Sequence, residues 1–254
     1  MTPQLSIARE SASLWRVTFN NPPINMFVPT TIDELGAFMT DLEADPSVKV
    51  IVFQSANPDF FVAHLDVAKA AGRPEVLGLW RDFVLRLAST PVVSIAKIRG
   101  RTRGIGNEFV LACDMRFASR HSALFGNPEI GVGLSRAAER WNGSRVWSAA
   151  RGHLRSCSAA TVSMLISPSS MAGNRTLDDD DLDSFVDALV RRLASFDRET
   201  LAAAKAQVNR FGTPTATELR RATTCSSQPW PGPVRGRAVP RSAVSVTVFG
   251  ATSN

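Results

Sequence analysis

Residues 99–134 constrain the fold of this chain more than any other stretch, and they read RGRTRGIGNEFVLACDMRFASRHSALFGNPEIGVGL. Gly104 and Gly106 precede Glu108, and an apolar run follows that acid up to Cys113. Glycine lets the main chain approach a neighbour closely. The apolar run predicts a buried helix whose first turn has unsatisfied N–H donors and a positive partial charge. With a second acid at Glu129, such a turn suits the formation and protonation of an enolate.

Strand and helix patterns alternate along the rest of the chain. The alternation over Leu14–Asn20 predicts a strand, and the apolar run Val48–Phe53, interrupted only by Lys49, predicts a strand buried on both faces. Further strands are predicted over Val92–Ile98, Met115–Ala118 and Ala123–Phe125, and helices over Thr30–Leu42 (after a Thr-Thr cap), Leu77–Ser89, Glu108–Cys113, Asp178–Leu193 and Arg198–Asn209. Strands separated by helices favour an α/β fold with a mainly parallel sheet.

Four further motifs precede the block of residues 99–134 along the chain, and the last of them overlaps its first two residues. They are NPPIN at Asn21–Asn25, VKVIVFQ at Val48–Gln54, DFFVAHLD at Asp59–Asp66 and PVVSIAKIRG at Pro91–Gly100. From about Leu14 to Ser135 the chain resembles the enoyl-CoA hydratase/isomerase (crotonase) family. The resemblance implies an α/β fold, a superhelix of ββα units followed by a C-terminal helical region.

The same resemblance implies the roles of four site residues. The backbone N–H groups of Leu65 and Ile105 would form an oxyanion hole for a thioester carbonyl. Glu108 and Glu129 would be the two catalytic acids, which hold a water molecule and move its protons. Proximity of two carboxyls would raise the pKa of one of them, which suits acid/base work.

Five residues around these positions are expected to bind the substrate. They are Ala63, His64, Asp66, Gly104 and Gly106. His64 replaces the usual glycine of its loop and would contact the thioester or pantetheine, or else be a solvated loop histidine. Asp66 would alternatively cap the following helix.

Three arginines at alternating positions suggest a phosphate-binding cluster. They are Arg99, Arg101 and Arg103. Because they alternate, we interpret them instead as solvated loop charges that share no face.

The implied activity is hydration of a 2-enoyl-CoA thioester in fatty acid metabolism. Coenzyme A enters as part of the substrate, so neither another cofactor nor a metal is expected. Double-bond isomerisation and thioester hydrolysis, which the same family catalyses, are alternative reactions. A non-catalytic or damaged CoA-binding protein is the alternative that is not an enzyme. The family's assembly implies a homotrimer or hexamer, provided that the C-terminal region folds.

The family pattern stops after Ser135. Residues 136–173 are rich in Arg, Ser, Ala and Trp and show no helical or strand period. Encoded with GC-rich codons and read one base out of phase, the stretch spells PGGGAMERLARL, the kind of sequence expected there. Residues 221–254 behave in the same way, so both segments look frame-shifted. We therefore divide the chain into a core at 1–173 with an anomalous 136–173, a helical trimerisation region at 174–220, and an anomalous tail at 221–254 that we expect to be disordered.

The basic charge of the chain does not indicate a nucleic-acid partner. The formal net charge is +6, but residues 136–173 and 221–254 contribute nine arginines and one glutamate, which leaves −2 for the rest. The positive charge therefore belongs to the anomalous segments and not to a binding surface of the family-like part. Because the sequence has neither an apolar run of transmembrane length nor a signal-like start, we expect no membrane partner and a cytoplasmic location.

Overall fold

The computed structural model describes residues 3–126 and 175–210. Its strands are β1 (Leu5–Ser11), β2 (Leu14–Phe19), β3 (Val50–Ser55), β4 (Phe60–Val62), β5 (Val93–Ile98), β6 (Arg101–Arg103), β7 (Met115–Ser119), β8 (Leu124–Gly126) and β9 (Arg175–Leu177). Its helices are α1 (Pro29–Ala44), α2 (Val67–Ala71), α3 (Val76–Ser89), α4 (Ile105–Ala112), α5 (Asp179–Ala194) and α6 (Arg198–Arg210).

The strands form two sheets. The larger sheet has the order β1-β2-β3-β5-β7-β9, in which β1 and β2 pair antiparallel and every other pair is parallel. The smaller sheet has the order β4-β6-β8 and is parallel throughout. Because all strand pairs but one are parallel and helices lie between strands along the chain, the predicted α/β class with a mainly parallel sheet is confirmed.

The central strand β3 is buried on both faces, as its apolar run predicts. Val50 and Val52 join the apolar cluster that α5 covers, whereas Ile51 and Phe53 join the larger cluster under α1 and α3. Side chains alternate across a strand, so one continuous apolar run supplies both layers. The larger cluster includes residues of the smaller sheet, and the helices and loops of the candidate site pack against it.

The starts of α1 and α4 differ from the sequence prediction in their capping or their position relative to the site. Helix α1 begins at Pro29 with Val28 at the N-cap, and the hydroxyl of Thr31 accepts a hydrogen bond from the Val28 N–H. The predicted Thr-Thr cap is therefore wrong, because proline already supplies the φ angle of a first helical turn. Helix α4 begins at Ile105, three residues before the predicted start, which places Glu108 in the first turn.

The C-terminal helices pack against the chain's own sheet and helices. Apolar residues of α5 face the larger sheet at helical spacing; they are Leu182, Val186, Val190 and Leu193. In α6 the buried Lys205 donates from Nζ to the carbonyls of Leu87 at 2.9 Å and Val92 at 2.7 Å, and it forms an ion pair with Asp114 at 2.9 Å. The trimerisation role of 174–220 stays a prediction, and the anomalous segments 136–173 and 221–254 lie outside the described residues.

None of the helices within 3–126 and 175–210 combines the length and the apolar character that a membrane crossing requires.

The ion pair of Lys205 gives a stability prediction. Lys205→Ala removes the positive partner of the largely buried Asp114 and two donors to buried carbonyls. Breaking a buried pair from one side costs about 3 kcal/mol or more. Urea unfolding should show this loss for Lys205→Ala. The exposed Lys69→Ala, whose pair with Asp66 is on the surface, should change stability by less than about 1 kcal/mol. Equal small effects would contradict a structural role for Lys205.

Candidate active site

The carboxyl ends of three parallel strands bring most of the sequence-predicted residues to one edge. In the smaller sheet Val62 of β4 lies beside Thr102 of β6, and Thr102 lies beside Phe125 of β8. Ala63–Asp66 follow β4 directly, and Gly104–Glu108 follow β6. Loops that leave the same edge of a parallel sheet lie next to one another, which is where open α/β sheets place their sites.

Backbone hydrogen bonds fix the direction of the Leu65 N–H. Phe27 donates its N–H to the His64 carbonyl at 2.8 Å, and Asp66 donates its N–H to the Phe27 carbonyl at 2.8 Å. The N–H and C=O of a trans peptide point in opposite directions. The Leu65 N–H, which shares a peptide with the His64 carbonyl, therefore points away from Phe27. Among the described residues it donates to no backbone carbonyl.

The second candidate donor is the first residue of α4. Gly104 precedes it with φ 50° and ψ −117°, a conformation that glycine adopts and other residues avoid. The Gly104 N–H donates to the Gly126 carbonyl at 3.1 Å, which ties the turn to β8. Because Ile105 opens the helix, its own N–H has no intrahelical acceptor, and no backbone acceptor occurs for it in the described part of the chain.

Gly106 brings the two loops together. A Cβ at Gly106 would lie 2.7 Å from the carbonyl oxygen of Val62 and 2.9 Å from its Cβ. The first turn of α4 therefore rests directly on the end of β4. The expectation of a close main-chain approach is confirmed at Gly106.

Glu108 lies in the first turn of α4 and accepts a hydrogen bond from a tryptophan. The indole Nε1–H of Trp80 donates to Glu108 Oε2 at 3.1 Å. Trp80 is buried and packs its ring against Phe27, Phe83 and Phe109. A carboxylate with an apolar wall behind it and a fixed indole donor has a defined direction. Sequence reasoning missed Trp80, because the residue lies on another helix, 28 positions away.

The remaining predicted loop residues lie beside Leu65. His64 is partly buried, and its Nδ1 lies 2.9 Å from the Leu65 carbonyl, which can only accept, so Nδ1 carries a proton. Asp66 caps α2, because its carboxylate accepts from the Lys69 N–H at 3.0 Å. That contact and the neighbouring Lys69 lower the pKa of Asp66. Ala63 is buried.

A buried asparagine in the NPPIN motif positions these loops, and sequence reasoning did not find this role. Asn25 Nδ2 donates to Ser55 Oγ at 2.6 Å and to the Phe60 carbonyl at 3.2 Å. The Asn25 carbonyl accepts from the Ala63 N–H at 3.2 Å. Asn25 therefore holds the first loop against the end of β4. The signal available in the sequence was a polar residue beside an apolar position in a motif of turn residues.

Glu129, the second predicted acid, lies outside the described residues. The structure places the three arginines differently from their interpretation as solvated loop charges. Arg99 pairs with Asp183 at 3.0 Å. Arg101 and Arg103 lie in β6 and are partly buried, so their interpretation as solvated loop charges without a shared face is wrong. Residues two apart in a strand share a face.

Comparison with known proteins identifies the family. The sequence profile described as "Enoyl-CoA hydratase/isomerase" matches residues 9–223. The chain belongs to the enoyl-CoA hydratase/isomerase family. Its α/β fold of parallel strands and crossover helices is the crotonase fold that the resemblance implied.

Individual relatives show the same relationship at low identity. The short-chain-enoyl-CoA hydratase of Clostridium acetobutylicum is 31% identical over 127 residues, which cover 47% of this chain and 48% of that protein. The human mitochondrial enoyl-CoA delta isomerase 1 is 30% identical over 122 residues, covering 46% of this chain and 38% of that protein. The chain thus matches about half or less of the length of these relatives.

A crystal structure from Streptomyces avermitilis, of a protein assigned as an enoyl-CoA hydratase, is similar with a TM-score of 0.77 and 32% identity. The match covers 87% of this chain and 82% of that one.

The contact of Gly106 with Val62 predicts a size limit in this enoyl-CoA hydratase/isomerase family member. Gly106→Ala should destabilise the chain by about 1–3 kcal/mol, because both sides of the contact are backbone or buried side chain. Gly36→Ala is the matched control, since a Cβ there meets nothing within 4 Å. That substitution should stabilise α1 by about 0.5–1 kcal/mol. Urea unfolding of both variants checks the prediction, and a stable Gly106→Ala protein would refute the tight contact.

Proposed function

We propose that this chain catalyses hydration of a 2-enoyl-CoA thioester. One observation carries the proposal: the N–H groups of Leu65 and Ile105 belong to loops that leave adjacent parallel strands, and neither donates to a backbone carbonyl of the described residues. Family membership supports it, and so do relatives that are named as hydratases.

The oxyanion hole supplies the first step. The thioester oxygen accepts from the Leu65 and Ile105 N–H groups, which withdraws electron density from C3 of the enoyl group. The positive end of α4 adds to this field. One such donor contributes about 3–4 kcal/mol to transition-state stabilisation. Because the donors are main-chain groups, the Leu and Ile side chains at these positions do not impair the role.

The carboxylates supply the proton transfers. Glu108 and Glu129 hold a water molecule; its oxygen bonds to C3 as one carboxylate takes a proton, and an enolate forms in the oxyanion hole. A carboxyl then delivers a proton to C2, and the thioester carbonyl is restored. The Trp80 N–H holds the Glu108 carboxylate in one orientation, which lowers the entropy cost of reaching the geometry for proton transfer.

The other proposed contacts surround the thioester. Ala63, His64 and Asp66 on one side and Gly104 and Gly106 on the other would line the path of the substrate. His64 turns Nδ1 toward the Leu65 carbonyl, and its Nε2 would face the thioester or pantetheine. No resident cofactor or metal has a part in this scheme, since coenzyme A arrives with the substrate.

Double-bond isomerisation is the second candidate function. The relationship to the human enoyl-CoA delta isomerase supports it. Isomerisation moves one proton between two carbons of the acyl chain, so one carboxylate suffices, whereas hydration uses two. Thioester hydrolysis is the other reaction open to the same oxyanion hole. A non-catalytic or damaged CoA-binding product is the alternative if residues 136–173 and 221–254 are frame-shifted.

The assembly and location are also proposals. We infer a homotrimer or hexamer in the cytoplasm, with an acyl-CoA substrate and neither nucleic acid nor membrane as a partner. Analytical ultracentrifugation of the purified chain tests the oligomeric state.

Substitution of the acids tests the mechanism. Glu108→Gln and Glu129→Gln should each reduce kcat for crotonyl-CoA hydration by about 100-fold or more, because each removes a group that transfers a proton. Binding of the CoA ester should survive, since the oxyanion donors are backbone groups. Loss of absorbance of the enoyl thioester measures the rate, and calorimetric titration measures binding.

Two results would change the assignment. Full activity of Glu129→Gln together with an inactive Glu108→Gln would favour isomerisation, which a 3-enoyl-CoA substrate then tests. An unmodified chain that binds crotonyl-CoA without turning it over would support the non-catalytic alternative. Resequencing the gene across codons 130–180 and 218–254 would then show whether the frame is intact.

A further inference from the structure

Two arginines share one face of the smaller sheet. Arg101 and Arg103 flank Thr102, which is fully buried on the opposite face of β6. Both arginine side chains are partly buried. Arg101 pairs in register with Phe60 of β4, and its guanidinium lies 5.2 Å from the Phe60 ring centroid. Arg103 pairs in register with Gly126 of β8, which has no side chain to cover it. We refer to Arg101 and Arg103 as the arginine pair.

Unlike Arg16 and Arg99, the arginine pair has no acidic partner in the described part of the chain. Arg16 pairs with Glu10 and Asp187, and Arg99 pairs with Asp183. Burial, followed by repulsion from Arg101, lowers the pKa of the Arg103 guanidinium. A guanidinium remains charged under these conditions. A half-buried positive pair without a counter-charge is costly for a folded chain and is characteristic of a site for an anion.

Arg103 lies at the edge of the sheet where the candidate active site is, and Arg101 begins the same three-residue strand. Arg103 is the last residue of β6, and Ile105 follows it by two positions. Two residues of extended chain span about 7 Å, which is close to the reach of an arginine side chain. An anion bound by Arg103 would therefore lie within a few bonds of a thioester whose oxygen is held by the Ile105 N–H.

We propose that Arg101 and Arg103 bind a carboxylate on the acyl group of the CoA ester, so that the substrate is an acyl-CoA with an acidic acyl chain. This inference rests on the proposed function. Guanidinium groups recognise carboxylates through paired N–H donors, and two of them on one face match the two oxygens. The stacking of Arg101 on Phe60 holds one guanidinium in place and leaves its edge for the ligand.

An acyl carboxylate fits the position better than a phosphate of coenzyme A. The nearest phosphate is separated from the thioester by the whole pantetheine arm, whereas a carboxylate at the end of a short acyl chain is only a few bonds away. The short sequence distance between Arg103 and Ile105 thus favours the acyl side of the thioester.

A matched pair of esters tests the inference on the full chain. Glutaryl-CoA and pentanoyl-CoA have acyl chains of equal length and differ by a terminal carboxylate in place of a methyl group. Calorimetric titration should show glutaryl-CoA binding about 10- to 100-fold more tightly, the range for a hydrogen bond to a charged group. Arg103→Gln should abolish this preference and leave the affinity for pentanoyl-CoA within about twofold. Arg103→Lys should retain part of it.

Control variants separate the arginine pair from general charge effects. Arg9→Gln, an exposed arginine on β1 that lies over Trp15, should leave the preference intact. Arg101→Gln should weaken it and serves as the main variant if Arg103→Gln does not fold, as judged by thermal melting.

Several results would overturn the inference. Equal binding of the two esters by the unmodified chain would refute it and leave the proposed function standing, whereas a chain that binds neither ester refutes both. A loss in Arg103→Gln that is equal for both esters and for free CoA would assign the arginine pair to a CoA phosphate. If Arg103→Gln sediments as a smaller assembly than the unmodified chain and keeps the ester preference, the arginine pair would be assigned to a carboxylate of a second copy of the chain.

Discussion

The contact between Gly106 and Val62 is the constraint on which the candidate site depends. It lets the first turn of α4 rest on the end of β4 with less space than a methyl group needs. The parallel pairing of β4 with β6 sets the loops side by side, and the Phe27 bridge turns the Leu65 N–H outward. Each of these is a backbone interaction. The side chains at 65 and 105 can therefore vary without moving the donors.

Long elements were predictable from the sequence, and so was the short strand β8, but the three-residue strands β4, β6 and β9 were not. Helix α3 and strand β5 each begin within one residue of their predicted starts, because a full period of apolar residues marks them. Strand β6 is Arg-Thr-Arg and contains no apolar residue. Its pairing is imposed by β4 and β8 on either side. The arginines were misread for the same reason: alternation separates residues in a loop but aligns them in a strand.

The site could be predicted as far as its motifs extend along the chain. The glycine turn, Glu108 and the loop at Leu65 follow from local sequence and the family resemblance. Trp80 and Asn25 could not be predicted in their roles, because their partners are distant in sequence. Trp80 reaches Glu108 from α3, and Asn25 reaches Ser55 across 30 positions. Contacts of this kind come from tertiary packing, which a single sequence without a repeated pattern does not encode locally.

The C-terminal helices are connected to the candidate acid through α3. Lys205 of α6 holds the carbonyl of Leu87 near the end of α3, and two turns earlier the same helix carries Trp80, whose indole donates to Glu108. A packed helix moves largely as a rigid unit, because its hydrogen bonds and side-chain contacts resist deformation, so a displacement at one end shifts the other. A change that releases α6 would therefore reach the orientation of the Glu108 carboxylate. Helix α6 thus supports the core that contains the candidate acid.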